Sequence, residues 1–127
     1  MMKNIDHIAI KVSDLILSCQ ALENLGLTCK SIEQYNEVSM QIAFLSSPNN
    51  KTTLELLAVT DPSSPIANDP AGLHHIGLKV ENIEKIYKMM KGDKRYKLEG
   101  DIRKGSHSRI FFFRIKDQEE TLFECVE

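Results

Sequence analysis

The sequence predicts an α+β domain made by duplication, each half a strand, a helix and two or three further strands. Three observations carry this. Ile5-Asp6-His7-Ile8-Ala9-Ile10-Lys11-Val12 returns 68 positions on as Leu73-His74-His75-Ile76-Gly77-Leu78-Lys79-Val80, with His, Ile, Lys and Val identical. Apolar residues at helical spacing follow each copy. Thr52-Thr53-Leu54-Glu55-Leu56-Leu57 then returns as Thr121-Leu122-Phe123-Glu124-Cys125-Val126. A repeat of this length decides the architecture, so it is weighed before any single motif.

Each element has a local reason. The segment around His7 to Val12 reads as a strand. Ser13 or Asp14 caps the first helix; Leu15, Cys19, Leu22 and Leu25 recur along it, and Gly26 stops it. An apolar run from Val38 to Leu45 precedes the strand Thr53 to Leu57, with a turn at Asn49-Asn50. The stretch Thr60 to Gly72 carries Pro62, Pro65 and Pro70 and joins the halves. Asn82 caps the second helix, Ile83, Ile86, Met89 and Met90 recur, and Gly92 stops it. Ser108 to Ile115 and Thr121 to Val126 complete the second half, with a turn at Asp117-Gln118. The halves span about 1–60 and 73–127, with a linker over 61–72. Neither half of about 60 residues buries enough to stand alone, so 1–127 reads as a single domain.

Composition excludes several functions. Lys+Arg number 16 against Asp+Glu 18, a net charge of −2, which argues against a general nucleic-acid binder. Phe111-Phe112-Phe113 is too short to span a membrane. Met1 to Ile10 lacks the apolar stretch of a signal peptide. Cys19, Cys29 and Cys125 are odd in number and fit no zinc spacing. They read as reduced thiols in a cytoplasmic protein.

The repeat also places four candidate ligands. Side chains alternate along a strand. Ile8, Ile10 and Val12 then face the helix, and His7 faces the other way. Ile76, Leu78 and Val80 repeat that arrangement opposite His75. Glu55 lies opposite Leu54 and Leu56, and Glu124 opposite Phe123 and Cys125. Each half thus sets one His and one Glu on the face away from its helix. A buried carboxylate without a partner costs on the order of several kcal/mol. Two imidazoles and two carboxylates suit Mn²⁺, Co²⁺, Ni²⁺, Fe²⁺ or Zn²⁺. Two octahedral positions remain for water or substrate, as at a catalytic rather than a structural metal. The parity of His74 matches Ile76, which makes it a buried or hydrogen-bonded helper.

These residues resemble the vicinal oxygen chelate superfamily of glyoxalase I, extradiol dioxygenases and methylmalonyl-CoA epimerase. The likeness to the epimerase group runs through Asp6-His7-Ile8-Ala9-Ile10, Leu54-Glu55-Leu56-Leu57, Ser64-Pro65-Ile66, Gly72-Leu73-His74-His75-Ile76 and Ser108-Arg109-Ile110-Phe111-Phe112. It implies two paired βαβββ modules forming curled mixed sheets around a central metal cleft, with helices outside. It implies a homodimer as well. Arg114-Ile115-Lys116 departs from a frequent His-Pro-Lys, Glu120 from a common Gly, and Gln41 stands near a second acidic residue of some relatives. The implied activity is an epimerase or isomerase working through an enolate, on methylmalonyl-CoA or another acyl-CoA thioester. In that activity Glu55 and Glu124 would each be both ligand and proton carrier.

Arg109 suits a substrate carboxylate or phosphate, and equally an exposed strand position. Gln41 is a candidate substrate contact. So is Ser106, in a Lys104-to-Ser108 loop that also reads as a hairpin turn. A glyoxalase-I-like isomerase of a thiol adduct would use the same metal in a different pocket. Dioxygenases usually hold Fe²⁺ with one carboxylate, so the fourth ligand counts against them. Non-catalytic binding or resistance members lack metal ligands, and all four are present here.

Overall fold

The computed structural model describes Met1 to Glu127. The elements are β1 (Met2–Lys11), α1 (Leu15–Glu23), β2 (Thr28–Tyr35), β3 (Met40–Ser46), β4 (Thr53–Val59), β5 (Gly72–Val80), α2 (Ile83–Lys91), β6 (Tyr96–Lys104), β7 (Arg109–Ile115) and β8 (Gln118–Val126). This is βαβββ twice over, the α+β class the repeat predicts. No helix is long and apolar enough to cross a membrane.

Packing divides the chain into two compact units, His7–His74 and Met1–Asp6 with His75–Glu127. The first six residues therefore count with the second half, although the repeat alone groups them with the first. In that second unit the Glu81 N–H donates to the Met1 carbonyl at 3.3 Å, and the N-terminal ammonium lies 3.5 Å from the Glu81 carboxylate.

Within His7–His74, β2, β3 and β4 run antiparallel in sequence, and β4 is parallel to β1. Asp14 caps α1, its carboxylate accepting the Leu17 N–H at 3.0 Å. Leu15 and Cys19 bury against Ala43 and Leu45 of β3 and Leu56 and Ala58 of β4, and Ile10 and Val12 pack onto them. Ile8 is exposed, because this cluster covers only the later part of β1. Leu25 is also exposed, at 78%. The helix ends at Glu23, and Gly26 at φ +110° turns the chain away. Val38 lies in a single 3₁₀ turn (Asn36–Val38) instead of a strand, and Ser39 follows at φ +49° before β3 begins.

Within the other unit, β5 is parallel to β8, and β8, β7 and β6 are antiparallel neighbours. Asn82 caps α2 by accepting the Lys85 N–H at 3.0 Å. Ile83, Ile86 and Met90 bury against Val80, Phe111, Phe113 and Cys125. Met89 falls just off that stripe and is exposed, which is the helical period at work.

The β6–β7 turn closes with the Gly105 N–H donating to the Ser108 carbonyl at 2.7 Å. A Cβ at position 105 would stand 2.8 Å from Ile110 Cγ2 and 3.0 Å from the Ser108 carbonyl oxygen. Gly105→Ala is therefore expected to cost about 1–3 kcal/mol through overpacking. It should appear as a lowered Tm by calorimetry, whereas a wild-type Tm would show that the turn opens at no cost.

Candidate metal centre

In each unit one sheet face lies under the helix and the other carries a His and a Glu. Parallel register sets Ala9 beside Glu55, with His7 two residues earlier on the same face. His7 Nδ1 is 3.5 Å from Glu55 Oε2, and both side chains are largely shielded from solvent. Register repeats this in the second unit, with Gly77 beside Glu124. There His75 Nε2 is 3.9 Å from Glu124 Oε2. The residue beside each carboxylate is small, Ala9 or Gly77, so neither strand crowds its Glu.

These separations exceed an ordinary hydrogen bond of about 2.7–3.2 Å. Two ligands each about 2.1 Å from a divalent ion stand roughly 3.0–3.4 Å apart. The His7–Glu55 pair is near that spacing, and a small closure would bring His75–Glu124 to it. His7 and His75 with Glu124 are buried donors of the types that hold a divalent cation. The neighbouring thiol takes no part. Burial, and next the Glu124 charge, push Cys125 up to about 12, so it stays protonated, and its side chain packs in the apolar cluster on the helix side.

His74 is the helper its parity suggests, with Nε2 2.7 Å from the Asp69 carboxylate. The linker that holds Asp69 is itself tied down. The Lys11 ammonium donates to the carbonyls of Ile66, Ala67 and Asp69 at 2.9, 3.0 and 2.6 Å. Lys79, its counterpart in the repeat, donates to the Glu127 carbonyl at 2.8 Å. Each half thus uses the repeated lysine to hold the segment that follows its last strand.

Arg109 and Gln41 fall on the faces turned to the helices, for the same reason of strand alternation. Gln41 pairs with Ala58 and shares the parity of Ala43, both in the α1 cluster. Arg109 shares the parity of buried Phe111, and its guanidinium is engaged by the carboxylates of Glu84 and Glu127. Those two partners, Glu84 foremost, hold its pKa above the usual arginine value. Ser106 is exposed in the β6–β7 turn.

Two side chains of the ligand face escape a reading of the sequence. Phe112 pairs with Glu124 in the β7–β8 register. Its ring meets the His75 imidazole edge-on, with centroids 5.4 Å apart. Alternation inside the Phe111-Phe112-Phe113 run was the available signal. Arg103 pairs with Ile110 on that face, but an irregularity between Glu99 and Arg103 hides its parity in the sequence.

A family model described as Glyoxalase/Bleomycin resistance protein/Dioxygenase superfamily matches residues 6–113, and the chain belongs to that superfamily. Among curated proteins it is similar to the mitochondrial methylmalonyl-CoA epimerase of Homo sapiens, 30% identical over 120 residues, or 89% of this chain and 67% of that protein. Among solved structures it resembles methylmalonyl-CoA epimerase from Mycobacterium tuberculosis, with TM-score 0.87 and 26% identity over 99% of this chain and 88% of the other. It also resembles a Streptomyces coelicolor methylmalonyl-CoA epimerase in complex with 2-nitronate-propionyl-CoA, with TM-score 0.81 and 28% identity over 99% and 97% of the two chains.

Proposed function

We propose that the chain is a divalent-metal-dependent epimerase of methylmalonyl-CoA or a related acyl-CoA thioester, with His7, Glu55, His75 and Glu124 together holding one ion. The observation that carries this reading is the duplicated His–Glu pair, set by the same parallel register in both units. The epimerases it resembles, one of them bound to an acyl-CoA analogue, support this substrate class.

A bound divalent cation supplies Lewis-acid polarisation of a carbonyl oxygen, which acidifies the neighbouring α C–H. The chain's own residues do the rest. The two imidazoles fix the site. Glu55 and Glu124, one per unit, are the carboxylates that remove and return the α proton. Removal from one face and return to the other inverts the centre, with no change of redox state. Leu57 and Val126, each two residues after a carboxylate on the same strand face, are buried. A homodimer and a cytoplasmic setting belong to the same reading.

The test is deuterium uptake from D₂O into methylmalonyl-CoA, with Co²⁺-loaded and with metal-free protein. Exchange at the α carbon that requires the metal is the expected result. Protein that holds metal yet gives no exchange would rule out the epimerase reading.

A further inference from the structure

The four arginines are not equivalent. Arg95 pairs with Asp93, Arg109 with Glu84 and Glu127, and Arg114 with Glu99. Arg103 instead donates to a backbone carbonyl, that of Asp101 at 3.2 Å, and sits over the Phe112 ring at 5.0 Å. It is exposed on the edge strand β6.

Its placement is built. The β6–β7 register shifts between Glu99 and Arg103, and such bulges re-aim side chains. Gly100 within that bulge has φ +91°, and a Cβ there would lie 3.3 Å from the Arg103 guanidinium. The bulge thus both turns the strand and leaves the space that the guanidinium fills. Register with Ile110 puts Arg103 on the face of Phe112 and Glu124. The Phe112 ring contacts both the guanidinium and the His75 imidazole. The other arginine of this face, Arg114, is neutralised by Glu99.

We infer that Arg103, and not Arg109, is the specificity-determining residue that pairs with an oxyanion of the substrate, either the acyl carboxylate or a phosphate of the coenzyme A portion. A guanidinium held on a ring, with no carboxylate to compete for its fork, is suited to either group. The inference rests on the acyl-CoA reading above and adds the residue that selects the substrate.

The test is equilibrium binding by calorimetry to the Co²⁺-loaded full chain, which needs no turnover. The ligands are methylmalonyl-CoA and methylmalonyl-pantetheine, which lacks the phosphates. Wild type is compared with Arg103→Gln and Arg103→Lys. Arg103→Gln is expected to weaken binding of methylmalonyl-CoA about tenfold or more, as for a lost charge-assisted bond, and Arg103→Lys to recover part of that loss. Weakening of both ligands assigns the carboxylate. Weakening of the coenzyme A thioester alone assigns the phosphate. Unchanged binding of both by Arg103→Gln overturns the inference and leaves the epimerase reading standing. Tight, Arg103-dependent binding without proton exchange would do the reverse. A wild type that binds neither thioester would overturn both.

Discussion

Replacing His7 or Glu124 by alanine is expected to abolish metal-dependent proton exchange; for Glu124 the missing proton carrier alone is worth at least about 10²–10⁴-fold. In the proposed site His7 contributes an imidazole and Glu124 both a ligand and a base. Neither belongs to the apolar clusters that hold the two units, so the variants should fold. Circular dichroism should match wild type while bound Co²⁺ falls away. The two substitutions fall in different units, which makes their common outcome informative. Full metal content in either variant would remove that residue from the ligand set.

Phe111 and Phe112 should behave as opposites although they are adjacent. Phe111 is fully buried among Ile83, Ile86 and Met90 of α2, with the Tyr87 ring edge-on at 5.1 Å. Phe111→Ala is expected to cost about 3–5 kcal/mol, the usual range for an aromatic removed from a core. In a domain of this size that is a fall in Tm of more than about 10 °C. Phe112 points to the other face and touches His75. Phe112→Ala should lower the Tm far less and weaken Co²⁺ binding about tenfold, as for groups that orient metal ligands. Calorimetry and metal titration on both variants decide the matter. Equal losses of stability would mean that the strand alternation, and the ligand face with it, is misassigned.

Much of this arrangement is legible in the sequence because duplication writes it twice. A single His in a strand says little. His7 and His75, each with a Glu at a matching later position, define a face. The caps at Asp14 and Asn82 and the stop at Gly92 follow from local chemistry that acts over a few residues. What escapes the sequence depends on longer-range packing. Ile8 fits the apolar alternation yet is exposed, because the α1 cluster reaches only from Ile10 onward. Met1 meets Glu81 of the second unit, a partner eighty residues away in the chain.

Arg109 illustrates the same limit at the candidate site. Its charge and its place in a strand match a substrate contact, but strand parity turns it towards Glu84 and Glu127. Arg103 has a guanidinium on the ligand face held by a backbone carbonyl and a ring rather than a carboxylate, and a bulge at Gly100 puts it there. No periodicity shows where a register slips, so Arg103 becomes visible only with the β6–β7 pairing. Asp69 is similarly silent: its role depends on Lys11 holding the linker beneath it.

In the proposed function, the His–Glu pairs of the two repeats hold one ion between them. The most direct measurement is the number of Co²⁺ ions per chain, by elemental analysis of wild type, His7→Ala and His75→Ala. One ion per chain is expected in wild type and none in either variant. Two ions per wild-type chain, or one ion retained after loss of either histidine, would contradict it.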